Sequence, residues 1–119
     1  MACAAHGATL YEITENLLGR PYEAGTVRCD TKAEKIDLNP KSFDCVTFVE
    51  YSLSLYTARP LAELRYYGPK RDCTSRNHFF AADWLENNSA KDITAELGFK
   101  TEIKTVIVDR KEWFSKTHG

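Results

Sequence analysis

Apolar residues recur at Leu10, Ile13 and Leu17, with Tyr11 and Leu18 beside them, a helical period that predicts a first helix over about residues 10–18. Thr9 and Glu12 have the spacing of a capping box at its start, and Gly19 is a C-terminal stop. A second helical stripe runs through Cys45, Val49, Leu53 and Tyr56 behind Asp44, a good N-cap, and predicts a helix from about Cys45 to Tyr56. Arg59-Pro60 begins a shorter turn or helix through Leu64, which Arg65 to Pro69 breaks. The pattern then changes. Residues 77–85, 92–97 and 101–109 are rich in aromatic and β-branched side chains, and Glu86 to Ser89 and Gly98 separate them. They predict three strands in an antiparallel meander. Helices followed by a sheet make an α+β plan.

Between the first two helices, Gly19-Arg20-Pro21-Tyr22-Glu23-Ala24-Gly25 is a turn-rich stretch able to hold the Tyr22 hydroxyl in place, or an ordinary loop with a surface tyrosine. Residues 27–42 are polar and aperiodic, an excursion leading to the second helix. At 119 residues the chain is expected to be one domain, 1–119, with a modest core. It is 43% hydrophobic and 28% charged, which excludes disordered and collagen-like classes. Sixteen basic against 17 acidic residues, with no basic run, argue against a nucleic-acid partner. No apolar run has the length of a membrane span, and Met1 to Ala5 lacks the regions of a signal peptide.

Cys3, Cys29, Cys45 and Cys73 include no C-x-x-C pair, so no metal site is expected. Cys29 and Cys73 are the candidates for a disulfide in an oxidising compartment.

Cys45 carries the candidate chemistry. In the first turn of a helix, unpaired N–H groups and the positive end of the dipole stabilise a thiolate. The alternative is a small buried core residue. A nucleophilic cysteine needs a base and a group that orients the base. Of the three histidines, His6 and His118 lie near the chain ends, whereas His78 opens a predicted strand that can set it against the start of the Cys45 helix. It is equally readable as a partly buried histidine on a sheet face. For the orienting group, Asp92 opens the next strand; its other reading is a solvated residue or turn cap. Asp83 lies five residues after His78 and would face away in a regular strand.

The segments Leu18-Gly19-Arg20-Pro21-Tyr22-Glu23-Ala24-Gly25-Thr26 and Phe43-Asp44-Cys45-Val46-Thr47-Phe48-Val49-Glu50 resemble the L-G-x-P-Y-x-x-G and D-C-x-x-F-V motifs of the NlpC/p60 papain-like cell-wall peptidases. Ser75 to Phe80, Asp83-Trp84-Leu85 and Asp92-Ile93-Thr94 resemble its N-acetylmuramoyl-L-alanine amidase-like branch. The resemblance spans about residues 17–114. It implies a papain-like core, the nucleophile at a helix N-terminus packed on an antiparallel sheet. It further implies a bacterial hydrolase of the amide between N-acetylmuramic acid and L-alanine in peptidoglycan or muropeptide fragments. By position Cys45 is the nucleophile, His78 the base, Asp92 the third catalytic residue and Tyr22 a site-lining tyrosine. Members of that branch are usually longer, so a compact or truncated form is expected.

The expected chemistry is acyl transfer through a thioester, without metal or organic cofactor, in a monomer. Arg65, Tyr66, Tyr67, Arg76 and Trp84 are candidate walls of a substrate cleft, although aromatics at such spacings are commonly core. The substrate implies a periplasmic or secreted location. The rival readings are a stem-peptide endopeptidase cutting between D-Glu and the diamino acid, and a non-catalytic peptidoglycan-binding module.

Overall fold

In the computed structural model, residues 7–25, 36 and 40–116 are described. The predicted first helix is α1, Leu10–Leu17, and it opens on the expected capping box. The Thr9 hydroxyl accepts from the Glu12 N–H, and the Glu12 carboxylate accepts from the Thr9 N–H at 2.8 Å. Gly19, at φ +87°, takes the left-handed turn that ends it. The predicted central helix is α2, Cys45–Thr57, capped by Asp44, whose carboxylate accepts from the Thr47 N–H at 2.8 Å. Helix α3, Leu61–Arg65, follows Pro60.

The buried face of α2 is not the predicted one. Cys45 and Tyr56 are exposed, and the helix buries Thr47, Glu50, Tyr51 and Ser52. The stripe Phe48, Tyr51 and Leu55 packs with Leu17, Phe43 and Leu61 into the core beneath α1 and α3. Phe43 anchors it, edge-on to Phe48 at 5.7 Å between centroids and 5.6 Å from the Tyr51 ring. The adjoining stripe, Thr47 and Glu50, faces polar groups instead.

The expected α+β papain-like core is overturned in the second half. Among the described residues there is no strand, only isolated bridges at Tyr22↔Phe43 and Tyr66↔Arg76. The predicted strand 77–85 coils into a π-helical turn, Phe80–Trp84, and a short helix α4, Leu85–Asn87. The cause is local: the Asp83 carboxylate accepts from the Phe79 N–H at 2.9 Å, closing the backbone into a turn where a strand would need it open. Over 92–97, Asp92 accepts from the Thr94 N–H and hydroxyl, and Leu97 N–H returns to the Ile93 carbonyl at 3.1 Å, so this strand too becomes a turn. Residues 101–109 take no regular secondary structure, with Ile103 91% and Ile107 97% exposed. Their β-branched composition suits a strand, yet a strand is stabilised by cross-strand partners, and no bridge to them occurs among the described residues. An unpredicted helix, α5, Arg110–Lys116, follows. It returns to the Cys73–Ser75 turn and buries Phe114 to 1% exposure.

Candidate active site

The site forms where the first turn of α2 meets the segment after α3. Asp44 and Val46, on either side of Cys45, and Thr47 line one wall of a small cleft; Arg76, Asn77 and His78 line the other, with Glu50 and Arg65 between them. Cys45 is exposed and its thiol is free. It occupies the first helical position, where a backbone N–H has no acceptor within the helix.

The second wall is placed by a relay of contacts. Arg65 Nε donates to Glu50 Oε2 at 2.9 Å, an ion pair with side chains only 6% and 2% exposed, which pins the end of α3 to the middle of α2. Burial pushes the Glu50 carboxyl up from its ordinary value, and the charges of Arg65 and Arg76 pull it back. From α3 the register passes through the backbone: Asn77 N–H donates to the Arg65 carbonyl at 2.6 Å and Tyr67 N–H to the Ser75 carbonyl at 3.0 Å. The Asn77 side chain, 1% exposed, donates to the Leu64 carbonyl at 3.0 Å and accepts from Asn87 of α4 at 2.8 Å. His78 is the next residue, so its position is inherited from this network.

The imidazole lies among rings, with centroids at 4.9 Å from Trp113, 5.4 Å from Phe79 and 5.5 Å from Phe114. That burial, together with Arg76 and Arg110, holds His78 below the ordinary histidine value, against the opposing pull of Asp83 and Asp44. A histidine so placed is neutral near pH 7 and able to accept a proton.

Tyr22 enters from the first loop. Glu23 N–H donates to the Phe43 carbonyl at 2.9 Å and Phe43 N–H to the Pro21 carbonyl at 3.2 Å, which fastens the tyrosine two residues before Cys45 with its side chain 71% exposed. Arg20 holds the same junction from the side, donating to the Pro40 carbonyl at 2.6 Å and lying over the Phe43 ring.

The structure thus brings His78, Arg76 and Arg65 into one cleft with the residues that flank Cys45, sets Tyr22 beside Phe43, and leaves Asp92 in a turn with Thr94. The Asp92 carboxylate is fully exposed and bonded to Thr94. The acid beside His78 is Asp83, because the π-helical turn folds back what a strand would have pointed away. Tyr66 and Trp84, expected as cleft walls, are buried at 4% and 7% exposure, and Trp84 packs on Phe80 at 5.2 Å. Tyr67 is exposed, its hydroxyl on the Thr74 carbonyl at 3.3 Å. Cys73 is disulfide-bonded, and Cys29, its expected partner, lies outside the described residues.

Glu50, Asn77 and Arg110 escaped sequence reasoning. An acid inside an otherwise uncharged helix was the available signal for Glu50. Arg110 had none, being remote in the chain from the acceptors it reaches at Thr74, Arg76 and Asp83. No group of three or more His, Cys, Asp or Glu able to hold a metal occurs among the described residues.

A family model described as AmiA-like, N-acetylmuramoyl-L-alanine amidase-like, matches residues 12–119. The chain belongs to that family. The match takes in α2, α3 and the segment from Arg76 to His78, which line the cleft, and α5. Membership in this amidase-like family indicates a peptidoglycan amidase-like hydrolase. No curated protein and no solved structure matches the chain. No helix among the described residues is long and apolar enough to cross a membrane.

Proposed function

We propose that this chain is a thiol amidase that hydrolyses the bond between N-acetylmuramic acid and L-alanine in peptidoglycan or its fragments. The observation that carries the reading is the cleft lined on one side by Asp44 and Val46, the two neighbours of the free and exposed Cys45, and on the other by His78. Membership in an amidase-like family supplies the bond class, and the motifs resembling NlpC/p60 peptidases supply the thiol chemistry.

In this mechanism His78 takes the Cys45 proton and the thiolate attacks the amide carbonyl. The imidazolium then protonates the leaving nitrogen of L-alanine, and the lactyl carbonyl of the sugar stays on sulfur as a thioester. Water, deprotonated by His78, releases it. A positioned general base contributes about 10²–10⁴ in rate. The oxyanion is met by the Cys45 backbone N–H, with the Tyr22 hydroxyl as a second donor. Arg76 gives the cleft a cationic group, while Arg65 is held in its ion pair with Glu50. Such a substrate places the enzyme outside the cytoplasm, in the periplasm or secreted.

The test is mass spectrometry of muropeptides incubated with the chain and with Cys45→Ala. Release of an intact stem peptide by the parent, reduced to background in the variant, is the expected result. A cut within the stem peptide would assign the endopeptidase activity instead, and no cleavage by the folded parent would leave a binding module.

A further inference from the structure

We infer that the Asp83–Arg110 pair is a clasp that positions His78, so that α5 governs the orientation of the site's base. The inference rests on the thiol-amidase reading above.

Arg110 is the first residue of α5, and its guanidinium reaches three acceptors at once: the Asp83 carboxylate, the Arg76 carbonyl, and the Thr74 carbonyl at 3.2 Å. The other Asp83 oxygen accepts from the Phe79 N–H at 2.9 Å. The backbone is therefore fastened to one ion pair on both sides of His78, at the carbonyl two residues before it and the amide one residue after it. A planar fork suits this task, since its N–H groups diverge at fixed angles. The same helix closes the imidazole from the side: Trp113 and Phe114, three and four residues on from Arg110, share its face and lie 4.9 and 5.5 Å from the His78 ring. The guanidinium also lies over Phe79 and Phe114, at 5.8 and 5.7 Å, which ties the ring box to the clasp.

Asp83 and Arg110 are positioning residues, acting through the His78 backbone and rings. Asp44 at the head of α2, Arg76 beside the histidine, Asp83 in the π-helical turn and Arg110 on α5 are the charged groups that face the imidazole. Because the clasp contributes one charge of each sign, its two halves have opposite effects on proton affinity.

The experiment follows the His78 ring protons by NMR against pH in the whole chain, in parent, Asp83→Asn, Arg110→Gln and Arg110→Lys forms. The pH dependence of Cys45 alkylation by iodoacetamide is recorded alongside. Asp83→Asn should lower the His78 midpoint and Arg110→Gln raise it. Arg110→Lys keeps the charge without the fork: its midpoint should stay near the parent's while muropeptide turnover falls about 10- to 100-fold from misplacement of the base. Midpoints that move together toward the ordinary histidine value in both Asp83→Asn and Arg110→Gln would overturn the clasp, leaving a strut that only supports the fold. So would full turnover in Arg110→Lys. If Arg110→Gln does not fold, Asp83→Asn and Arg110→Lys decide between the two. Failure of the amidase reading shows separately, as a parent that cleaves no muropeptide while its titrations still differ among the variants.

Discussion

On the Cys45 side of the cleft one helix carries the site with a capping box of its own, whereas on the His78 side the histidine is held by contacts from α3, α4 and α5. Thr47 and Asp44 satisfy each other within four residues of chain. His78 depends on Arg65, Asn87 and Arg110, which approach it from three separate elements. A nucleophile can be built locally because the helix start itself supplies the unpaired N–H groups that stabilise negative charge. A base must be aimed at something outside its own segment, so its placement is tertiary by necessity. The two sides meet through Glu50 and Arg65.

That junction should give the largest response. Glu50→Ala leaves Arg65 buried beside Arg76 without its partner and is expected to cost about 3–5 kcal/mol in denaturant unfolding. Replacing both partners, as Glu50→Leu with Arg65→Met, should recover most of the loss. A double variant no more stable than the single one would mean that the pair is valued for its place in the polar network and not for neutralising charge. A smaller effect is expected on the Cys45 side, where Asp44→Ala removes the cap of α2 and should lower stability by about 1 kcal/mol. Because the cap is local, Arg110→Lys should add to it within error; strong coupling between them would break the contrast between the two walls.

The smallest effect is in pH. His78 is held below its ordinary value of 6.5, so the unfolded chain binds that proton more readily than the folded one. Its contribution to stability is complete above the unfolded value and is lost as pH falls through it toward the folded value. The acid limb of kcat/KM should likewise lie below the ordinary histidine range. A thermal melting series from pH 8 to 5 in parent and His78→Gln checks this: the parent's midpoint should fall more steeply on acidification than the variant's. Equal slopes would assign the acid sensitivity to other groups.

Several features are legible in the sequence alone. The Thr9–Glu12 capping box, the Asp44 cap and the start of α2 at Cys45 are short-range events, written in residues three or four apart. The identity of the buried face of α2 was not legible, because Thr47 and Glu50 are polar and became interior only through Arg65 and its neighbours. The strands failed for the complementary reason. Aromatic and β-branched composition at 77–85 and 101–109 is what a sheet requires, but it does not say whether a partner is present. At Asp83 a side chain bonded its own backbone first. Asp92 was assigned from a hairpin that does not form, and its carboxylate caps the turn at Thr94.

By itself the sequence determined the helix starts, the cysteine placed on one of them and the match to an amidase-like family, since each depends on residues read along the chain. Only the tertiary structure decided which histidine environment, which acid and which buried ion pair surround that cysteine. These depend on Glu50, Asn77 and Arg110, whose hydrogen-bonding groups are indifferent to sequence distance and find partners only where the folded backbone has brought them.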